Sequence, residues 1–94
     1  MIIARMPPYP PAEIVRRGEE VYAQQIRPQV EADNKGRALV IDIETGAWEW
    51  EDRDEPLAAS HRLITRNPDA VLYARRVGYR ARTKMGGSLQ QVEE

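Results

Sequence analysis

Residues 37–51 read RALVIDIETGAWEWE, and the fold turns on this stretch. Leu39, Ile41 and Ile43 alternate with Ala38, Val40 and Asp42, and Trp48 and Trp50 alternate with Glu49 and Glu51. A period of two is that of an extended strand, whose successive side chains point to opposite faces. Between the two runs lie Glu44, Thr45 and Gly46, a short polar loop whose glycine suits a chain reversal. The stretch predicts a β-hairpin.

The same letters contain Asp42-x-Glu44-Thr45, which resembles the D-x-E-T strand of the 3′–5′ exonucleases of the DEDD type. In that family the two carboxylates hold catalytic magnesium. Two-metal cleavage needs about four carboxylates from several elements around metals ~4 Å apart. Residues 47–94 are too few to supply the remaining strands and helices, and Asp54 and Asp69 have simpler roles as cap and turn residues. The hairpin accounts for VIDIETG without metal, and a metal-dependent nuclease stands as the least favoured reading.

On the N-terminal side, residues 1–11 hold four prolines and are expected to be extended. Residues 12–30 carry Ile14, Gly18, Val21, Tyr22, Ile26 and Val30 on one helical stripe. Gly18 on that stripe weakens a helix by roughly 1 kcal/mol relative to alanine, and a close approach of another backbone would account for it. Pro28 predicts a kink. On the C-terminal side, Asp54-Glu55-Pro56 reads as a helix start, and residues 57–66 as a helix burying Leu57, His61 and Ile64 with Leu63 beside them. Val71, Tyr73, Arg75 and Val77 define one face of a third strand, and residues 79–84 a possible fourth. Residues 85–94 read as a flexible tail. The expected fold class is α+β: N-terminal helix, β-hairpin, helix, then one or two further strands. The helices pack on one face of a small sheet, in one domain spanning residues 12–84.

Composition bounds the function. Ninety-four residues make one small domain, marginal enough that self-association or a partner would add useful burial. There is no cysteine, hence no disulfide and no thiolate metal site. No run approaches the ~20 apolar residues of a membrane span, and no signal peptide is read, so the cytoplasm is the expected location. Net charge is −1 but unevenly spread, with seven acids in 41–55 and seven bases in 62–84. Two such clusters pair with each other or meet an oppositely charged partner.

No catalytic set emerges. Ser60 and His61 are helix neighbours whose side chains diverge by ~100°, and the other serine, Ser88, lies in the tail. No cofactor is expected. Binding elements are better supported. Arg76, Arg80, Arg82 and Lys84 share one strand parity, and Tyr79 beside them suits base stacking, which makes a small nucleic-acid-binding domain the alternative. An edge strand whose cations deter aggregation accounts for the same residues. Trp48 and Trp50 are core residues or an adhesive patch.

The segments VEADNKGRALVIDIETG, AASHRL, NPDAVLYARRVGY and the closing MGG, in that order, resemble a family of short uncharacterised bacterial proteins with no assigned activity. The resemblance covers roughly residues 13–87 and marks Asn34, Lys35, Gly36, Asp42, Thr45, Gly46, Arg76, Gly78 and Tyr79. It implies an accessory or antitoxin-like partner of a neighbour-encoded protein such as a retropepsin-like protease or a toxin. The sequence thus leads to a non-enzymatic protein–protein interaction module, a homo-oligomer or a subunit, with Trp48, Trp50, Arg76, Tyr79, Arg80 and Arg82 as partner-binding residues.

Overall fold

The computed structural model describes residues 8–83 and 89–93. The N-terminal helix begins with Pro11 at its first position, where a missing N–H costs nothing. It is built in three pieces: α1 (Pro11–Val21), a π-helical turn (Tyr22–Ile26) and α2 (Arg27–Val30). The interruption expected at Pro28 falls one turn earlier. Proline has no N–H to donate, and its ring crowds the carbonyl four residues back. The wide turn absorbs this, with Arg27 N–H reaching the carbonyl of Tyr22 five residues back. Tyr22, Ile26 and Val30 consequently keep one buried face.

The central sheet has three antiparallel strands in the order β2-β1-β3, formed by β1 (Ala38–Asp42), β2 (Trp48–Trp50) and β3 (Leu72–Arg76). The hairpin forms as expected, with Leu39 opposite Trp50 and Ile41 opposite Trp48. Its turn closes through Gly46 N–H to the Asp42 carbonyl at 2.8 Å, and Gly46 takes a φ of 82° that a side chain would disfavour. β3 lies on the other side of β1, pairing Tyr73 with Ile41 and Arg75 with Leu39.

The helices do not share one face of this sheet. Leu39, Ile41, Tyr73 and Val77 pack against Tyr22, Ile26 and Val30 of the N-terminal helix. Val40 and Leu72, one residue out of phase, pack against Ala59 and Leu63 of α3 (Ala58–Arg66) on the opposite face. A central strand covered on both sides explains why Val40 is buried as well as Leu39 and Ile41.

α3 departs from expectation in two ways. Asp54 caps nothing in the helix; its own N–H is held by Asp52 Oδ1 at 2.8 Å, and the helix starts only at Ala58 without a side-chain cap. The buried pair is Ala59 and Leu63, whereas Leu57 is 65% and Ile64 43% exposed, and His61 is exposed too. A nine-residue helix laid across β1 and β2 buries only a narrow stripe, and the small Ala59 permits the close approach that selects it.

Gly18 is buried beneath the ring of Tyr73, so the close approach comes from a side chain and not from a backbone. The two elements are further clamped by Glu19, which accepts from Tyr73 Oη at 2.8 Å and from Arg75 Nη1. Arg75, one of the seven bases of 62–84, is only 3% exposed and lies 3.8 Å over the Tyr22 ring. Burial first, then the Glu19 carboxylate, pushes the Tyr73 hydroxyl pKa far above its ordinary value. The Tyr22 hydroxyl is buried without a hydrogen-bond partner among the described residues. Tyr22→Phe keeps the ring under Arg75 and removes an unsatisfied polar atom, so it is expected to stabilise the fold by about 1 kcal/mol, read from the urea midpoint.

Residues 79–83 do form a strand, β4 (Tyr79–Thr83). It pairs antiparallel with β5 (Leu89–Glu93) as a separate two-stranded ribbon, so part of the expected tail is ordered strand. Lys35 anchors the ribbon through an ion pair with Glu93. Among the described residues, no helix is long and apolar enough to cross a membrane.

Candidate functional site

The stretch that resembles a metal-binding strand is built as a turn clamp. Asp42 is 1% exposed and its carboxylate accepts four hydrogen bonds: from Glu44 N–H (3.0 Å), Thr45 Oγ1 (2.9 Å), Asn67 Nδ2 (3.1 Å) and Val71 N–H (3.2 Å). Burial pushes its pKa up, but the bond from Asn67 and the three others outweigh it and hold the carboxyl below its ordinary range. Glu44 is exposed and accepts the hydroxyl of Tyr9, whose ring lies 4.1 Å under the Arg17 guanidinium. The residues just before α1 are thereby tied to the β1–β2 turn. One carboxylate is consumed inside the protein and the other is held outside it. Among the described residues, no three His, Asp or Glu side chains gather as a metal site would require.

The other marked residues zip together the opposite end of the sheet. Gly36 N–H donates to the Val77 carbonyl and Val77 N–H to the Arg37 carbonyl, both at 2.8 Å. Asn34 Nδ2 donates back to the Val30 carbonyl at 2.9 Å. Lys35 lies across Gly78, where an added Cβ would meet its Cγ at 2.8 Å. These residues have structural work that accounts for their types.

Two features remain open to solvent, and they adjoin. The first is the outer edge of β2. Asp42 N–H bonds Ala47 O and Glu51 N–H bonds Ala38 O, so by antiparallel alternation the amide groups of Trp48 and Trp50 point outward. No strand lies beyond them among the described residues. Both indoles are half-buried on the N-terminal-helix face, edge to face with centroids 5.2 Å apart. Arg37 lies 4.0 Å over the Trp50 ring and donates to Asn34 Oδ1 at 2.9 Å. On the opposite face, Glu49 is shared by Arg62 (2.8 Å) and Arg66 (2.6 Å). The Arg62 hydrogen bond above all holds the Glu49 pKa below its ordinary value. Here the acidic and basic clusters do meet.

The second feature is a pocket of about 680 Å³ where β1 begins and β2 and β3 end. Arg37, Arg53, Arg62 and Arg76 line it, with Trp50, Glu51 and Asp52. Arg76 Nη1 donates to the Gly36 carbonyl at 2.6 Å.

Of the residues singled out from sequence, the pocket brings together Trp50 and Arg76, while Trp48 stands beside it on the strand edge. Tyr79 opens β4, half-buried and outside the pocket lining. Arg80 and Arg82 belong to β4, but their side chains lie outside the described part. Sequence reasoning missed Arg37, Arg53 and Arg62. Arg37 had a signal: once Leu39 is set opposite Trp50, Arg37 is its diagonal cross-strand neighbour on the same face. Arg53 and Arg62 had none, because only the packing of α3 and its preceding loop brings them there. Comparison with protein-family models, with curated proteins and with solved structures finds no match to this chain.

Proposed function

We propose that the chain is a non-enzymatic interaction module that receives an extended segment of a protein partner along the outer edge of β2. The observation that carries this is the strand edge at Trp48 and Trp50, where no further strand is paired among the described residues and two half-buried indoles flank outward-pointing amides, the Trp50 carbonyl accepting from Arg62 Nη2 at 3.5 Å. A row of backbone donors and acceptors is satisfied best by another backbone, and alternate apolar side chains of that segment would lie on the indoles. Tryptophan and arginine are the residues that most often dominate such contacts. A neighbour-encoded partner, as the sequence resemblance implies, fits this role.

The test is capture by the tagged full chain from nuclease-treated native lysate, with the bound protein identified and its ratio measured. The expected result is one protein in fixed stoichiometry, its Kd weakened about 30-fold by Trp48→Ser, the ~2 kcal/mol of a hot-spot tryptophan. Circular dichroism on the variant establishes that it remains folded. Binding indifferent to Trp48→Ser would overturn the proposal. So would capture that vanishes with nuclease treatment, which would return the question to the nucleic-acid reading of Arg76, Arg80 and Arg82.

A further inference from the structure

We infer that the segment received at the β2 edge runs antiparallel to β2 and carries basic residues immediately before its alternating apolar ones. This rests on the strand-edge reading above and adds to it the chemical class of the partner segment.

The backbone sets the register. An antiparallel neighbour exchanges hydrogen bonds with the outward amides of Trp48 and Trp50, so one of its residues stands opposite each tryptophan and one between them stands opposite Glu49. The two opposite the tryptophans share the indole face. The Trp50 carbonyl accepts one long bond from Arg62 Nη2, at 3.5 Å, and keeps a second lone pair for the segment. β2 is three residues long, so a segment of ordinary strand length, about five residues, overruns it.

Charge decides what suits the overrun. The chain leaves β2 as Glu51-Asp52-Arg53-Asp54-Glu55, four acids and one base in succession. None of these four carboxylates makes an ion pair among the described residues. The other arginines of this region are engaged away from the strand edge. Arg62 and Arg66 share Glu49, Arg37 stacks on the Trp50 ring, and Arg76 belongs to β3, across β1 from β2. Before the other end of β2 stand Thr45, Gly46 and Ala47, all uncharged, and Glu44 beyond them accepts from Tyr9. The edge is therefore acidic at its C-terminal end and neutral at its N-terminal end.

That asymmetry gives the segment a direction. In the antiparallel register, the two residues preceding its apolar pair pass Glu51 and Asp52, where lysine or arginine is favoured and glutamate or aspartate is repelled. A second copy of this chain fits poorly. Pairing β2 with itself in the same register sets two Glu49 side chains opposite each other and brings Ala47 and Gly46, not a cation, to Glu51 and Asp52.

The experiment titrates the full chain at low salt with three blocked peptides: Ac-Lys-Lys-Val-Thr-Val-Thr-NH₂, Ac-Glu-Glu-Val-Thr-Val-Thr-NH₂ and Ac-Val-Thr-Val-Thr-Lys-Lys-NH₂. Binding is read from the NMR shifts of the Trp48 and Trp50 amides. The lysine-first peptide is expected to shift both amides saturably and to bind about tenfold more tightly than the glutamate peptide. It should also bind more tightly than the lysine-last peptide. Glu51→Lys should cut the preference for lysine over glutamate several-fold; its carboxylate makes no hydrogen bond or ion pair among the described residues, so the variant is expected to fold. The inference is overturned if the three peptides bind alike, if the lysine-last peptide binds more tightly, or if Glu51→Lys leaves the preference unchanged. It is equally overturned if the lysine-first peptide leaves the Trp48 and Trp50 amides unshifted. Equal binding of all three peptides, weakened alike by Trp48→Ser, removes the charge rule and keeps the strand edge. Silence of both amides with every peptide counts against the strand edge itself.

Discussion

Asp42→Ala is expected to destabilise the protein by about 4 kcal/mol, close to the whole stability of a small domain, which starts near 5 kcal/mol. The carboxylate is buried and satisfies four donors at once, two of them the backbone N–H groups of Glu44 and Val71, the latter 29 residues further along the chain than Asp42. Alanine leaves the Val71 N–H and the Asn67 amide facing a void, at about 1–3 kcal/mol for each buried donor left unmade. Asp42→Asn should cost less, but its amide NH₂ points a donor at donors. The same site sets a pH dependence. The folded pKa of Asp42 is lowered, so its contribution is fully present above the ordinary carboxylate pKa of about 3.9 and is lost as pH falls through the folded value. Urea denaturation from pH 7 down to pH 2.5 should show the gap between wild type and Asp42→Asn closing below about pH 4. Parallel curves would mean that the carboxylate's charge contributes nothing to the clamp.

Gly18→Ala is the second large effect, and its sign opposes helix propensity. Alanine should gain about 1 kcal/mol in a helix interior. Here its Cβ would stand 2.2 Å from Tyr73 Cδ2, 2.4 Å from Cγ and 2.9 Å from Cβ. The ring cannot step aside freely, because its hydroxyl is bonded to Glu19, which also holds the buried Arg75. Overpacking at such a site costs about 3 kcal/mol, so a net loss of about 2 kcal/mol is expected. In a Tyr73→Ala background the obstruction is gone and Gly18→Ala should become neutral or stabilising. A double-mutant cycle by urea denaturation reads this sign change directly. The same loss in both backgrounds would place the cause in the helix and not in the contact.

Both residues stood out in the sequence for other reasons. Asp42 drew notice through its spacing to Glu44, a strand parity that puts two acids on one side. The turn intervenes: Glu44 is past the end of β1 and faces solvent, so the parity argument did not extend to it. Gly18 was legible as an oddity, a glycine on a buried stripe, but not its partner, since Tyr73 is 55 positions away. α3 was the weakest inference. Leu57, His61 and Ile64 recur at helical spacing, yet Val40, Ala47 and Leu72 are the apolar side chains beneath the helix, and Ala59 and Leu63 fit them more closely. The candidate site was half visible. Trp50 and Arg76 were named from composition and parity, whereas Arg53 and Arg62 arrive from a loop and a helix whose placement no local pattern encodes.

The sequence by itself determined the elements whose signals are local. The period-3.6 stripe from Ile14 to Val30, the period-2 hairpin closing at Gly46 and the alternating third strand each follow from side-chain geometry within a few residues. The tertiary structure alone decided which faces are covered and which charges are spent. It set the two helices on opposite faces of β1, buried Arg75 because Glu19 arrives to neutralise it, and left four arginines around one pocket. A cation reads the same in a sequence whether it is paired or free, because its energy depends on what the fold brings within a few ångströms of it.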